Sequence, residues 1–342
     1  MRILPLALVL TSLLSLTLPA PTRRAAAGGA PAAAPPRVGS LGVSPRSSLA
    51  LSTGASPGAR SRTALSTGTP TVPTFRSRLA ATYRETATHM LATGCPYATW
   101  AAHGRHFLFF DPAGDGRAAE VLGDLATATR VAVLIPGVDT TLADFDRGLG
   151  GVPRRAPGVQ ARALHDLLAK RDPHTAVIAW LGYDAPEGIG LAAATEGRAR
   201  DGAAALTTFV RDLLPGKHVT LIGHSYGSIV AGLAARNLPE VADVVTLGAP
   251  GIGVDRAGEL GGARVWSALA PTDWIRRIPQ VRVLGLGLGR RPTSPDFGAY
   301  ALPTDGVAGH DFYLVPGSST LRAVAGVVLS GGPRHDLPGR VS

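Results

Sequence analysis

Five short runs of continuous apolar sequence constrain this chain more than any other feature. They are VAVLIPG at 131–137, AVIAWLG at 176–182, VTLIGHS at 219–225, VVTLGAP at 244–250 and RVWSALAP at 264–271. A strand with one wet face alternates apolar and polar residues. These runs do not, so each needs cover on both faces, which is the condition of a parallel sheet flanked by helices. Most of the gaps between them hold helical patterns. Leu206, Phe209, Val210, Leu213 and Leu214 follow the i, i+3, i+4, i+7, i+8 spacing, and Leu164, Leu167 and Leu168 give a shorter version. Leu321, Val324, Ala325 and Val328 mark a last helix. Upstream, a helix over about 76–92 precedes HFLFFDPAGDGRAAEVLGDL, two apolar stretches around a Pro, Gly and Asp turn that read as a hairpin. The pattern predicts the α/β class: a mostly parallel sheet with an N-terminal antiparallel hairpin and helices on both faces. Ligands of such sheets bind beyond the carboxyl ends of the strands. Gly137, Gly182, Ser225, Pro250 and Asp273 all fall at or just past such ends.

The two termini read differently. Residues 1–27 hold an early Arg2, an apolar run from Ile3 to Leu18, and Ala25 and Ala27 placed for cleavage before Gly28, the pattern of a secretory signal. The run is short of the ~20 residues that span a bilayer. Residues 28–73 are mostly Ala, Pro, Ser, Gly, Thr and Arg, with no periodic apolar face, and are expected to form a disordered linker. The folded domain is expected over 74–332, with a flexible tail over 333–342. The formal net charge of +10 belongs to the N-terminal part: residues 1–84 carry ten arginines and no acid, leaving 24 basic against 24 acidic residues in the rest. With no aromatic interleaving in that arm, nucleic acid is not expected as a partner. A weak contact of the basic linker with the cell envelope is the alternative. The single cysteine, Cys95, excludes an intramolecular disulfide and reads as a small buried residue.

The second question is chemical. In LIGHSYGSIVAGLAAR, Ser225 stands between Gly223 and Gly227 where a strand pattern gives way to a helix pattern. A serine hydroxyl reacts only when a base takes its proton and donors stabilise the oxyanion. The G-x-S-x-G spacing suits a sharp strand-to-helix turn at which neighbouring backbone leaves no room for side chains at either glycine. The acid and histidine partners of such a serine follow it in the chain. Asp273, in ALAPTDWI, fills the acid slot, or caps a short turn at Trp274 to Arg277; Asp255, one strand earlier, is the reserve. Of the two later histidines, His310 lies in a Gly-rich loop before the last helix and is the candidate base, whereas His335 lies in the tail. Oxyanion donors are expected from the backbone N–H groups of Tyr226 and Val138, with Gly137 letting the loop approach the substrate. His224 and Tyr183 are candidate walls of the substrate pocket. Asp184 reads equally as a helix cap or pocket residue.

Cofactors are not expected. The histidines are scattered, no H-E-x-x-H or paired cysteines occur, and no G-x-G-x-x-G follows the first strand of a βαβ unit. The ordered blocks FFDPAGDGRAAEVLGDLATATRVAVLIPGVDT, VIAWLGYDAP, VTLIGHSYGS, LGAPGIGVD, PTSPDFGA and PTDGVAGHDFY resemble an α/β-hydrolase domain-of-unknown-function family common in high-GC bacteria, from about Arg105 to Leu329. That resemblance implies the α/β-hydrolase fold, a serine hydrolase activity, Ser225 as nucleophile, His310 as base and Asp273 as acid. One departure is visible: members usually read Gly-His-Ser at the base, and here Asp311 follows His310.

The combined expectation is an exported serine hydrolase, secreted or associated with the cell envelope, working by acyl transfer without a metal. Carboxylic esters of moderate chain length, small-molecule or lipid-like, are the first substrate class, because loops near the site are rich in small and apolar residues. A peptidase or amidase on the same three residues is the alternative. So is a non-catalytic binding module on a hydrolase scaffold, since fold alone does not establish function.

Overall fold

A computed structural model describes residues 73–190, 192–278 and 288–330. The signal at 1–27, nearly all of the linker at 28–73, and the tail at 333–342 with His335 lie outside the described residues. Helix α1 (Phe75–Thr93) starts at an N-cap, Thr74, whose hydroxyl accepts from the Ser77 amide, and stops at Gly94, whose φ of 89° suits glycine. A short α2 (Tyr97–Ala102) leads into the hairpin β1 (His106–Asp111) and β2 (Arg117–Leu122). Alternating units follow: β3 (Arg130–Ile135), α3 (Pro157–Ala169), β4 (Thr175–Leu181), α4 (Gly197–Leu213), β5 (His218–His224), α5 (Gly227–Ala235), β6 (Val241–Leu247) and β7 (Arg264–Ala268). A two-residue β8 (Tyr300–Ala301) and helix α6 (Ser319–Leu329) close the order. All five apolar runs are strands. β8 carries too few residues for a periodic signal and was not anticipated.

Among the described residues the strands form one sheet in the order β1-β2-β4-β3-β5-β6-β7-β8. β1 and β2 pair antiparallel, as do β2 and β4, and every later pairing is parallel. The continuous apolar runs are explained by two separate cores. Along β3, Val131, Val133 and Ile135 face a core completed by α1, α4 and α5. Ala132 and Leu134, between them, face the core built with α3 and α6. Leu206, Phe209, Val210 and Leu213 fill the first, and Leu164, Leu168, Leu321, Val324 and Val328 the second. Each fully buried Leu or Val contributes about 1.5–3 kcal/mol, so Leu206→Ala removes about 2–5 kcal/mol. Cys95 departs from expectation: it is exposed, in the turn between α1 and α2. Among the described residues no helix is long and apolar enough to cross a membrane.

Candidate active site

β5 is the central strand between β3 and β6, and its carboxyl end delivers Ser225. The serine has φ of 53°, a left-handed conformation that a β-substituted residue holds only when its surroundings impose it. Those surroundings are visible. The Ser225 amide donates to the Leu247 carbonyl at 2.9 Å, continuing the β5–β6 ladder, and the chain then turns at once into α5. A Cβ on Gly223 would come within 2.6 Å of the Gly227 carbonyl oxygen, inside contact distance. One on Gly227 would strike the carbonyl oxygens of Ile135 and Pro136. The two glycines are therefore demanded by the crowding of α5 against β5 and β3. Ser225 is 5% exposed, and the loop after β3 lies beside it: a Cβ on Gly137 would fall 3.3 Å from Ser225 Oγ.

Asp273 and His310 meet at the same edge. Nδ1 of His310 lies 3.0 Å from both carboxylate oxygens of Asp273. An ionised carboxylate only accepts, so Nδ1 carries the proton and Nε2 is left as an acceptor. Asp273 also caps the turn Trp274–Arg277, accepting from the Ile275 amide at 2.9 Å, so the capping and partner readings hold together. A third donor is Tyr313, whose hydroxyl gives a 2.5 Å hydrogen bond to the carboxylate and itself accepts from the Ala270 amide at 3.0 Å. Burial works to raise the pKa of Asp273, but the hydrogen bonds and charge of His310, with those from Tyr313 and Ile275, outweigh it and hold the carboxyl below its ordinary range. Asp255 is exposed and hydrogen-bonded through its amide to Glu259, not brought to His310.

His224 reaches the loop that carries His310. Its Nε2 lies 2.8 Å from the His310 carbonyl oxygen, which only accepts, so Nε2–H donates. The two imidazoles lie 4.7 Å apart, and Trp274 covers His310 from another side at 5.0 Å. Burial, then the neighbouring His310, lowers the His224 pKa to about 4, keeping that ring neutral. Among the described residues no hydrogen bond joins Ser225 Oγ to the His310 ring. Catalytic hydrogen bonds of this kind often tighten only when substrate arrives. The Val138 and Tyr226 N–H groups are also without hydrogen-bond partners among the described residues.

Tyr183, expected in the pocket wall, is 4% exposed, and its hydroxyl turns inward to donate to the Pro136 carbonyl at 2.7 Å. It therefore acts on the loop carrying Gly137 instead of offering its hydroxyl to a ligand. Asp184 pairs with Arg198, and the N-cap position of α4 belongs to Glu196. Three contributors escaped the sequence reading. Tyr313 stands three residues after His310, where only its aromatic character hinted at a role. Gly248 has φ of 59°, and a Cβ there would fall 2.7 Å from Asp273 Oδ2 and 2.9 Å from His310 Nδ1. Arg155 pairs at 2.6 Å with Asp311, the residue that departs from the usual Gly-His-Ser. Among the described residues no group of three His, Cys, Asp or Glu side chains could hold a metal ion.

Residues 111–283 match the model of a family described as alpha/beta hydrolase. The chain belongs to that family. An uncharacterized protein of Mycobacterium tuberculosis is 32% identical to this alpha/beta hydrolase over 289 residues, a match covering 68% of this chain and 43% of the relative. A second uncharacterized protein of the same organism is 36% identical over 176 residues, covering 48% of this chain and 64% of the relative. The chain thus spans less than half of the first relative and under two thirds of the second. Among solved structures, a lid-less α/β serine hydrolase from Xanthomonas campestris aligns with a TM-score of 0.38 at 17% identity, covering 66% of this chain and 93% of its own. Esterase PE8 aligns with a TM-score of 0.38 at 14% identity, covering 62% of this chain and 98% of its own.

Proposed function

We propose that this alpha/beta hydrolase is an exported serine hydrolase working by acyl transfer, with carboxylic esters as its substrate class. The observation that carries the reading is the hydrogen-bonded Asp273–His310 pair at the same sheet edge as a serine held at φ 53°. In this mechanism Ser225 Oγ attacks the ester carbonyl carbon while His310 Nε2 takes its proton. Asp273, bound to Nδ1–H, holds the ring's tautomer and stabilises the imidazolium. The Val138 and Tyr226 amides, without hydrogen-bond partners among the described residues, receive the oxyanion. As the tetrahedral intermediate collapses, His310 returns the proton to the leaving alcohol, and an acyl group remains on Ser225. Water, deprotonated by His310, then attacks the acyl-enzyme and releases the acid. His224, neutral and bound to the His310 carbonyl, adds no positive charge beside the base.

Export rests on the residues 1–27 pattern, and secretion or envelope association follows from it. The ester preference is supported by the small, apolar loops around the edge. A panel of aryl esters with acyl chains of two to twelve carbons, set against aminoacyl anilides and assayed with the Ser225→Ala variant as control, tests the reading. Hydrolysis of mid-length esters that disappears in the variant supports it. Faster anilide cleavage moves the substrate class to amides, and no serine-dependent turnover of either class favours a binding module.

A further inference from the structure

Among the described residues only two positions other than glycine have left-handed φ: Ser225 at 53° and Asp139 at 59°. Asp139 lies two residues beyond Gly137, the residue packed against Ser225. An aspartate in this conformation commonly satisfies itself locally, bonding its own backbone two residues on. Asp139 does something else. Its Oδ1 accepts from the Gly188 amide at 2.6 Å, and its own amide donates to the Pro186 carbonyl at 3.0 Å. Both partners belong to the loop after β4, so one residue ties the loop after β3 to its neighbour twice, once through a charge-assisted bond.

The same neighbouring loop holds the chain on the other side. Tyr183, just past β4, donates to the Pro136 carbonyl at 2.7 Å. The loop after β3 is therefore pinned at Pro136 and again at Asp139, and the two residues between the pins are Gly137 and Val138. One faces Ser225; the other carries an amide with no hydrogen-bond partner among the described residues. We infer that Asp139 is a positioning residue that fixes the Val138 amide in its oxyanion-binding orientation by clamping the loop after β3 onto the loop after β4. The inference rests on the serine-hydrolase reading above and names what makes its oxyanion site rigid. Tyr183 is the fixed end of this clamp and Asp139 the end that sets the amide's direction.

The test uses the full chain and compares Asp139→Gly, Asp139→Asn and Ser225→Ala with the parent. Glycine adopts φ 59° freely, so Asp139→Gly keeps the turn and loses only the carboxylate. Asparagine keeps an acceptor oxygen for the Gly188 amide and tolerates the same φ. The readouts are ester kcat and KM and the second-order rate of fluorophosphonate labelling of Ser225. Asp139→Gly is expected to lower kcat and the labelling rate about 10- to 100-fold, part of what losing an oxyanion donor costs, with KM changed less than about threefold. Asp139→Asn is expected to restore most of the loss. The inference is overturned if Asp139→Gly matches the parent in kcat and labelling, or if Asp139→Asn is no better than Asp139→Gly; the serine-hydrolase reading survives either result. If the parent itself is labelled no more than Ser225→Ala, that reading falls and the inference falls with it.

Discussion

Replacing Tyr313 by Phe isolates its support of the Asp273 carboxylate. The tyrosine is 1% exposed, and its hydroxyl bridges the Asp273 carboxylate at 2.5 Å and the Ala270 amide at 3.0 Å. The substitution removes one oxygen and changes no packing, so the loss is electrostatic. A hydrogen bond to a charged group is worth about 1.5–3 kcal/mol, and a buried amide left without a partner costs about 1–3 kcal/mol; the two overlap, giving about 2–4 kcal/mol. For a domain of this size that corresponds to a fall in Tm of roughly 5–15 °C. The pH dependence separates the two parts. The folded-state pKa of Asp273 is depressed, so its stabilisation is present above the unfolded value of about 3.9 and is lost as pH falls through the folded value. Without Tyr313 the folded pKa rises. The difference between parent and variant is therefore largest at neutral pH and shrinks as pH falls through the parent's depressed folded value, below which only the Ala270 part remains. Guanidinium unfolding of both proteins, followed from neutral pH down the acid limb, measures this. A destabilisation that stays constant throughout would mean that Tyr313 supports the fold without acting through the carboxylate, and would refute the account of Asp273.

Three further outcomes are expected. Asp273→Asn lowers kcat about 10,000-fold by leaving His310 in the wrong tautomer, whereas Asp255→Asn, at an exposed position, leaves ester turnover unchanged; comparable losses in steady-state assays would reverse the assignment. Gly248→Ala abolishes turnover, because its Cβ would sit 2.7 Å from Asp273 Oδ2 at a φ of 59°; an active, folded Ala variant would contradict the tight packing of that pair. His224 has a folded pKa of about 4 against about 6.5 unfolded, so the unfolded chain binds more protons between these values and stability falls as pH drops, by about 1.4 kcal/mol per pH unit. His224→Gln keeps an N–H donor for the His310 carbonyl but does not titrate, so its stability measured between pH 6.5 and 4 should fall less steeply than that of the parent.

The strands and the parallel order were readable because both faces of the sheet are covered, which turns each central strand into an uninterrupted apolar run. Helix periodicity located α3, α4 and α6 for the same reason: one stripe of each meets one core. β8 escaped because two residues carry no period, and Cys95 because its exposure follows from the turn between α1 and α2, not from residue type. The chain order of Ser225, Asp273 and His310 and the strand-end positions of Ser225 and Asp273 can be read from the sequence; the hydrogen bonds between His310 and Asp273 are seen only in the packed structure. Tyr313, Gly248, Asp139 and the Arg155–Asp311 pair were not, since each acts through a contact made only when separate loops converge. Tyr183 shows the limit in the other direction: its place past a strand end suggests a pocket wall, and only the packed structure reveals that its hydroxyl faces the Pro136 carbonyl.

The central claim is that Ser225 is the nucleophile, and covalent labelling tests it most directly. A fluorophosphonate probe incubated with the folded chain, followed by proteolysis and mass spectrometry, should place one adduct on the peptide containing LIGHSYGS, at Ser225, with labelling lost in Ser225→Ala and slowed in Asp273→Asn. An adduct on another residue, or undiminished labelling of Ser225→Ala, would contradict the claim.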